Sequence, residues 1–210
     1  MLSLLALGQY WGREGEKTEE LRDLAAKIGF SFKEEDNDFE ASLKKTRCFS
    51  RSYRARTTNC LSKKNEVVEI KVADCHYSQS DKVYRATVCM IIDKQMNLPN
   101  FFLRPEHKFF DGLKRFFGMQ DIEFENDQAF SKKFVLQSED EISVKYLFNS
   151  EVRKFMMKYG DLITQIEGNG SMLLLFKKPQ FVSDFETQVK EALEICTLLK
   201  KVVEKEGLNS

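Results

Sequence analysis

The sequence predicts an α+β fold in which several helices pack against an antiparallel β-sheet. Its strand-like segments follow one another in runs and do not alternate with helices, which is typical of antiparallel sheets. In the last third, Gly168-Asn169-Gly170 separates two apolar segments, as a hairpin turn does. Beyond this turn, apolar residues recur at helical spacing as far as Val203. We therefore expect the chain to end in a β-hairpin followed by a long C-terminal helix.

The N-terminal region predicts a helix and then a linker. Leu21, Leu24 and Ile28 recur at helical spacing, and Gly29 follows where a helix C-cap is expected. The acidic stretch 34–40 comes next and is interpreted as a solvated linker.

Strand composition recurs through the middle of the chain. Segments that are rich in β-branched and aromatic residues, and are bounded by polar turns, predict strands. Apolar and charged residues alternate after Val67, which indicates a strand with one buried face. The predicted strands and hairpin arms are Arg47–Ala55, Val67–Ala73, Val83–Ile92, Leu98–Leu103, Asp121–Phe124, Phe130–Gln137, Leu162–Glu167 and Met172–Phe176.

Several polar residues and one proline predict where helices begin. Pro105 suits a first helical turn because its φ is fixed, and the phenylalanine-rich stripe after it ends at Gly118. Ser138 and Ser183 each precede a glutamate by three residues, which is the spacing of a capping box. Ser150 is predicted to cap a further helix.

Length and composition indicate an ordinary globular protein. A chain of 210 residues suits one domain or two small ones. We expect an N-terminal helix and acidic linker over residues 1–45 and a single α+β domain over residues 46–205. A sub-boundary near residue 119 is the alternative.

Charge and cysteine usage exclude several classes of protein. Lys+Arg and Asp+Glu both number 33, so no overall charge attracts the chain to nucleic acid or anionic lipid. Met1–Leu7 is apolar but far shorter than the roughly 20 residues that a membrane span needs, and no other apolar run approaches that length. The five cysteines contain no Cys-x-x-Cys pair and are interpreted as reduced thiols. These features predict a cytoplasmic location.

Residue patterns for catalysis and cofactor binding are weak. The neighbours Cys75 and His76 point to opposite faces if they lie on a strand, so they make no catalytic dyad. Cys75 and His107 form a thiol–imidazole pair only if the fold brings them together. No P-loop motif occurs, and the turn Gly168-Asn169-Gly170 joins two strands rather than a strand to a helix. We therefore expect no metal or cofactor, and an enzyme less readily than a binding protein.

The stretch 44–64 carries eight basic residues and no acidic one. Cations interleaved with aromatic rings are typical of single-stranded nucleic-acid sites. The alternative is an edge strand whose cations face the acidic stretch 34–40. The residues of this candidate basic surface are Arg47, Arg51, Tyr53, Arg54 and Arg56.

A second group of charges follows at a two-residue period, so that its members could share one face of a sheet. Paired carboxylates can bind a cation or act in acid–base chemistry. The simpler interpretation is a solvated face opposite apolar neighbours. The residues are Asp121, Glu123, Glu125 and Asp127.

Four segments in a fixed order carry a resemblance. They are Leu98–Glu106, Gly118–Phe124, Phe130–Leu136 and Asp140–Phe148. This order resembles a family of uncharacterised bacterial proteins with the pattern LPxFxLRPE, GxxDIxF, FSxxYxL and DExxVxxLF. The resemblance covers about residues 46–200. It implies no activity, because none is assigned to the family.

The resemblance also carries expectations about location and structure. Many relatives are anchored in the membrane by N-terminal hydrophobic helices, with this domain on the cytoplasmic side. This chain lacks those helices, so the inner membrane surface is a location that the resemblance alone implies. Within the shared segments, Arg104, Pro105 and Glu106 are interpreted as a structural corner, fixed by an ion pair from Arg104 to Asp121 or Asp140.

Three functional hypotheses follow. The first is a non-enzymatic domain that binds an unidentified protein partner or a second copy of itself. The second is a nucleic-acid-binding module that uses residues 44–64. The third is a small-ligand or enzyme domain with a pocket between the sheet and the last helix.

Overall fold

The computed structural model describes residues 4–49, 54–79, 82–106, 119–159, 163–178 and 182–206. Helices and strands are mixed along these residues, so the predicted α+β class is confirmed. In chain order the elements are α1 (Leu4–Ile28), β1 (Ser31–Lys33), α2 (Asn37–Leu43), β2 (Arg54–Lys64), β3 (Val68–Gln79), β4 (Lys82–Asp93), β5 (Leu98–Pro105), β6 (Gln120–Ile122), α3 (Gln128–Lys133), β7 (Phe134–Ser138), α4 (Glu141–Leu147), α5 (Ser150–Tyr159), β8 (Ile163–Gly170), β9 (Met172–Lys177) and α6 (Val182–Glu206).

The described strands form one antiparallel sheet of nine strands in the order β1-β2-β3-β4-β9-β8-β5-β7-β6. The hairpin of β8 and β9 therefore lies between β4 and β5, which are consecutive in the chain. At its turn Asn169 pairs with Met172, and Gly170 has a φ of +55°, which glycine adopts without steric cost. The predicted hairpin and the long helix after it are confirmed.

Both faces of the sheet are covered. Alternate strand residues point to opposite faces, so Val72 belongs to one hydrophobic cluster and Ala73 to the other. The first face packs against α1, α4, α5 and α6, and Phe185 of α6 is fully buried there. The second face packs against α2 and against the turn that contains Phe49.

The acidic stretch 34–40 is not a linker. Its residue Asp36 is 5% exposed and caps α2, because its carboxylate accepts hydrogen bonds from the amides of Asp38 (3.1 Å) and Phe39 (3.0 Å). Phe39 and Leu43 then bury fully against the second face. The stretch therefore belongs to folded structure, while the domain division at residues 45 and 46 stays a prediction.

Two predicted strands are misplaced. Residues 47–49 form a turn, and the predicted strand Arg47–Ala55 overlaps β2 (Arg54–Lys64) only at its last two residues. Phe130 begins the other predicted strand, but its first four residues belong to α3. The carboxylate of Asp127 accepts a hydrogen bond from the Phe130 amide (3.2 Å) and so stabilises the helical turn.

The serines predicted to begin helices, Ser138, Ser150 and Ser183, are not the N-caps. Asp140 caps α4 by accepting a hydrogen bond from the third residue of that helix (3.0 Å). Asn149 caps α5 through its side-chain oxygen. Ser183 lies inside α6, which begins one residue earlier. In α4 and α5 a capping side chain is thus present, but one or two residues from the predicted position, whereas the residue before α6 lies outside the described residues.

Candidate functional site

A groove of about 600 Å³ runs between α5 and α6 on the surface of the molecule. Phe155 on α5 and Leu193 and Leu198 on α6 line it, and all three side chains are half-buried. The α6 side of the groove extends from Lys190 to Lys201, which at 1.5 Å per residue is about 16 Å. That length is about three turns of an α-helix.

Charged side chains of both signs surround this apolar floor. Glu151 stands on the α5 side, and Lys190, Glu194 and Lys201 stand along α6, all exposed. Lys190 also forms an ion pair with Glu186 one turn earlier (2.8 Å). An apolar floor with a charged rim is the usual composition of a surface that binds another protein.

The interface between the sheet and α6 is filled by side chains. Phe185, Ile195 and Leu199 of α6 are fully buried there. At the edge of this interface Lys177 of β9 and Glu191 of α6 form an ion pair, with 5% and 15% of their side chains exposed. A ligand in the pocket that was predicted between the sheet and α6 would therefore have to displace core side chains.

The candidate basic surface is only partly described. Arg47 lies in the turn and pairs with Glu139 (3.0 Å), so it does not share a strand face with the rest. Arg56 of β2 pairs with Glu35, which is the arrangement expected of cations that face the acidic stretch. The main chain of Arg54 belongs to β2, whereas Arg51 and Tyr53 lie outside the described residues.

A buried carboxylate holds the turn that contains Arg47. The side chain of Glu167 on β8 accepts hydrogen bonds from the amides of Arg47 and Cys48, each 3.0 Å long. Glu167 is 2% exposed. Its role was not predicted, because the strand pattern alone does not show which loop a strand residue meets.

The predicted structural corner has a different geometry. Pro105 is the last residue of β5, and the helix expected after it falls outside the described residues. Arg104 pairs with neither Asp121 nor Asp140 and instead donates a hydrogen bond to the Pro105 carbonyl (3.3 Å). The Glu106 amide donates to the carbonyl of Lys133 (2.8 Å), so main-chain bonding fixes this corner.

The second acidic group does not form one face of a strand. β6 ends at Ile122, and the residues after it form a turn. Asp121, Glu123 and Glu125 line a separate cavity, whereas Asp127 caps α3 and pairs with Arg153 (2.7 Å). Among the described residues, no cluster of three or more His, Cys, Asp or Glu is arranged to hold a metal ion.

No contact among the described residues joins a candidate thiol to a candidate imidazole. His76 lies on β3, paired with Arg56 and Arg85 on the neighbouring strands, and His107 lies outside the described residues. Cys75 is fully buried among apolar side chains of the second face.

The five cysteines are free thiols; Cys48 is half-buried, and the burial of the other four makes them poor nucleophiles. Burial raises the pKa of Cys60 and Cys196 to about 11 and that of Cys75 and Cys89 to about 12. Burial, and after it the carboxylate of Glu167, also raises the pKa of Cys48.

We expect the native protein at neutral pH to react with a thiol reagent far more slowly than the unfolded chain. Since a thiol with a pKa of about 11 is ionised to about one part in a thousand at pH 8, the native rate should rise steeply with pH. Fast labelling of Cys60, Cys75, Cys89 or Cys196 at neutral pH, checked by mass spectrometry, would contradict their buried placement.

The raised thiol pKa values also affect stability at high pH. The unfolded thiols ionise near pH 9 and the folded ones only near pH 11–12, so the free energy of unfolding should fall as pH rises through this window.

Comparison with known proteins places the fold. No protein-family model matches the chain, and no curated protein matches it. Among solved structures, it is similar to the crystal structure of the mycobacterial trehalose monomycolate transport factor A, TtfA, with a TM-score of 0.59. The sequence identity is 14%, and the likeness covers 89% of this chain and 93% of TtfA. At this identity the likeness shows a shared fold, and the resemblance to the bacterial family stays a prediction.

None of the helices in the described part of the chain is both long enough and apolar enough to cross a bilayer.

Proposed function

We propose that this chain is a non-enzymatic accessory domain that binds a protein partner in the groove between α5 and α6. The partner presents an amphipathic α-helix, whose apolar stripe lies on Phe155, Leu193 and Leu198. The observation that carries the proposal is the half-buried apolar floor of this groove within a rim of exposed charges.

The dimensions of the groove support a helical occupant. Its α6 wall measures about three helical turns, which matches the anchors at i, i+3 or i+4 and i+7 by which helices bind in grooves. The floor is contributed by two different helices, so an inserted helix would contact both.

The rim charges support a partner with charges of both signs. Lys190 and Lys201 flank Glu194 along α6, with Glu151 opposite them. A partner helix with acidic residues towards its ends and a basic residue in the middle would match this order. Such rim charges contribute more to the association rate and to specificity than to affinity.

The fold also supports an accessory role. TtfA, which shares this fold, is a trehalose monomycolate transport factor. We extend to this chain only the accessory role that such a factor has, and we propose that the chain has no catalytic site of its own.

The proposal can be tested by site-specific photo-crosslinking in cells of the source organism. A photoreactive residue at Thr197, which lines the groove, should give a discrete cross-linked protein. The matched control is Thr187, an exposed threonine on the same helix that does not line the groove. The product should form at position 197 and not at position 187.

Two variants make the result decisive. Leu198→Glu should abolish the cross-link, and Lys201→Glu should reduce it about tenfold without contacting the core, because a reversed rim charge opposes the partner. Urea unfolding of each variant shows whether the fold is retained. Equal products at positions 187 and 197, or a product that both variants leave unchanged, would overturn the proposal.

The nucleic-acid hypothesis is weaker on this structure. Several cations of residues 44–64 already face carboxylates, with Arg47 on Glu139, Arg56 on Glu35 and Lys64 on Glu69. Binding to phosphates would have to compete with these ion pairs.

A further inference from the structure

The short helix α4 carries an exposed apolar pair. Ile142 is 71% exposed and Tyr146 is 55% exposed, and they lie four residues apart on one side of the helix. Val144 and Leu147 on the opposite side are fully buried. Large apolar side chains that face solvent side by side, on a helix whose other face is packed, indicate a contact surface.

An acidic cavity adjoins this pair. Its volume is about 660 Å³, and Glu141 and Lys145 of α4 line it. At 100° per residue, these two side chains lie between the buried face of α4 and the exposed face of Ile142 and Tyr146. The apolar pair therefore lies on α4 directly beside the two side chains that line the cavity.

Most of the negative charge in this cavity is not neutralised. Lys145 pairs with Glu141 (2.6 Å), and Arg153 pairs with Asp127 (2.7 Å). The remaining carboxylates, Asp121, Glu123 and Glu125, have no cationic partner among the described residues. Asp121 accepts a hydrogen bond from the neutral side chain of Gln137 (2.7 Å), which leaves its charge in place.

The floor of the cavity is fixed. The guanidinium of Arg153 lies over the ring of Phe124, 4.3 Å from its centroid, and also donates to the Phe148 carbonyl (2.7 Å). The hydrogen bond and charge of Arg153 lower the pKa of Asp127, so this pair stays ionised at neutral pH. Because Arg153 is held in place, a cation that enters the cavity can contact the carboxylates of Asp121, Glu123 and Glu125.

We propose that this surface, which consists of the acidic cavity and the Ile142–Tyr146 pair, binds a basic and amphipathic segment of a partner protein. Lysine or arginine side chains of that segment enter the cavity, and its apolar side chains cover Ile142 and Tyr146. The excess of carboxylates fixes the sign of the partner charge. This surface is separate from the groove between α5 and α6 and is tested independently of it.

The test uses three short peptides and the full chain labelled with ¹⁵N. The first peptide alternates lysine and leucine, the second has glutamate in place of lysine, and the third has serine in place of leucine. Only the first should bind well, with amide shift changes in α4 and in the turn around Glu125. Equal binding of the lysine–serine peptide would mean simple counterion attraction and would overturn the proposal.

Variants at exposed positions locate the binding site. The double variant Glu123→Gln with Glu125→Gln should weaken binding about tenfold, and Tyr146→Ser about fivefold, because each removes one part of the surface. The matched controls are Glu66→Gln and Val83→Ser, which are exposed residues elsewhere and should change nothing. Unchanged affinity in the cavity variants, or shift changes confined to the groove between α5 and α6, would overturn the proposal.

Discussion

Replacing Glu191 with leucine is expected to lower the free energy of unfolding by about 3–5 kcal/mol, since it leaves the charge of Lys177 buried without its partner. Lys177 is 4% exposed at the end of β9, between the sheet and α6. A cation in that position has little access to water. The loss should therefore exceed that of removing an ordinary surface ion pair by several-fold.

A double-mutant cycle tests this explanation. Lys177→Met alone should also destabilise, whereas Lys177→Met combined with Glu191→Leu should lie close to the wild type, because two apolar side chains can replace a buried ion pair. Urea unfolding gives the free energy of unfolding of each variant, and the values can be compared when the m-values are equal. If the double variant loses as much as the two single variants together, the two residues are not coupled and the explanation is wrong.

Gly168→Ala is expected to destabilise the protein by about 3 kcal/mol, because the added methyl group would overlap a packed ring. A Cβ at this position would lie 2.1 Å from Cε1 of Phe101, which pairs with Gly168 across β5 and β8. Phe101 is fully buried and packs edge-on against Phe148 at 5.0 Å, so its ring has little room to move. At about 2–4 °C per kcal/mol, the melting temperature should fall by about 6–12 °C.

The same substitution elsewhere supplies the control. Gly15 lies in α1, where an added methyl group would project into open space, so Gly15→Ala should stabilise by about 0.5–1 kcal/mol. Adding Phe101→Leu to Gly168→Ala should recover part of the loss, since the smaller side chain leaves space for the methyl group. A Gly168→Ala protein with unchanged melting temperature would show that the strands can separate enough to accommodate it.

The sequence predicted the fold class because its strongest signals are periodic. Alternation after Val67 and helical spacing up to Val203 each extend over many residues, and the glycine–asparagine–glycine turn specifies the hairpin. Cap positions were less predictable, since several polar residues compete within a few positions. At α4, Ser138 and Asp140 both qualify, and the structure uses Asp140.

The candidate sites depended on contacts that are distant in sequence. The acidic stretch looked solvated because nothing nearby in sequence shows that Phe39 is buried under the sheet. The groove likewise combines Phe155 of α5 with Leu198 of α6, and no local sequence pattern shows that these two residues lie close together. For the basic stretch, the partner of Arg47 is Glu139, 92 residues away.

The position of the β8–β9 hairpin also determines the order in which the protein can be assembled during synthesis. Strands β4 and β5 leave the ribosome well before residues 163–177, and both pair with that hairpin. In the interval each strand presents one open edge of unpaired main-chain groups, which other chains can pair with. The nascent protein therefore exists as two unfinished half-sheets, and its greatest exposure to aggregation ends when the hairpin joins them.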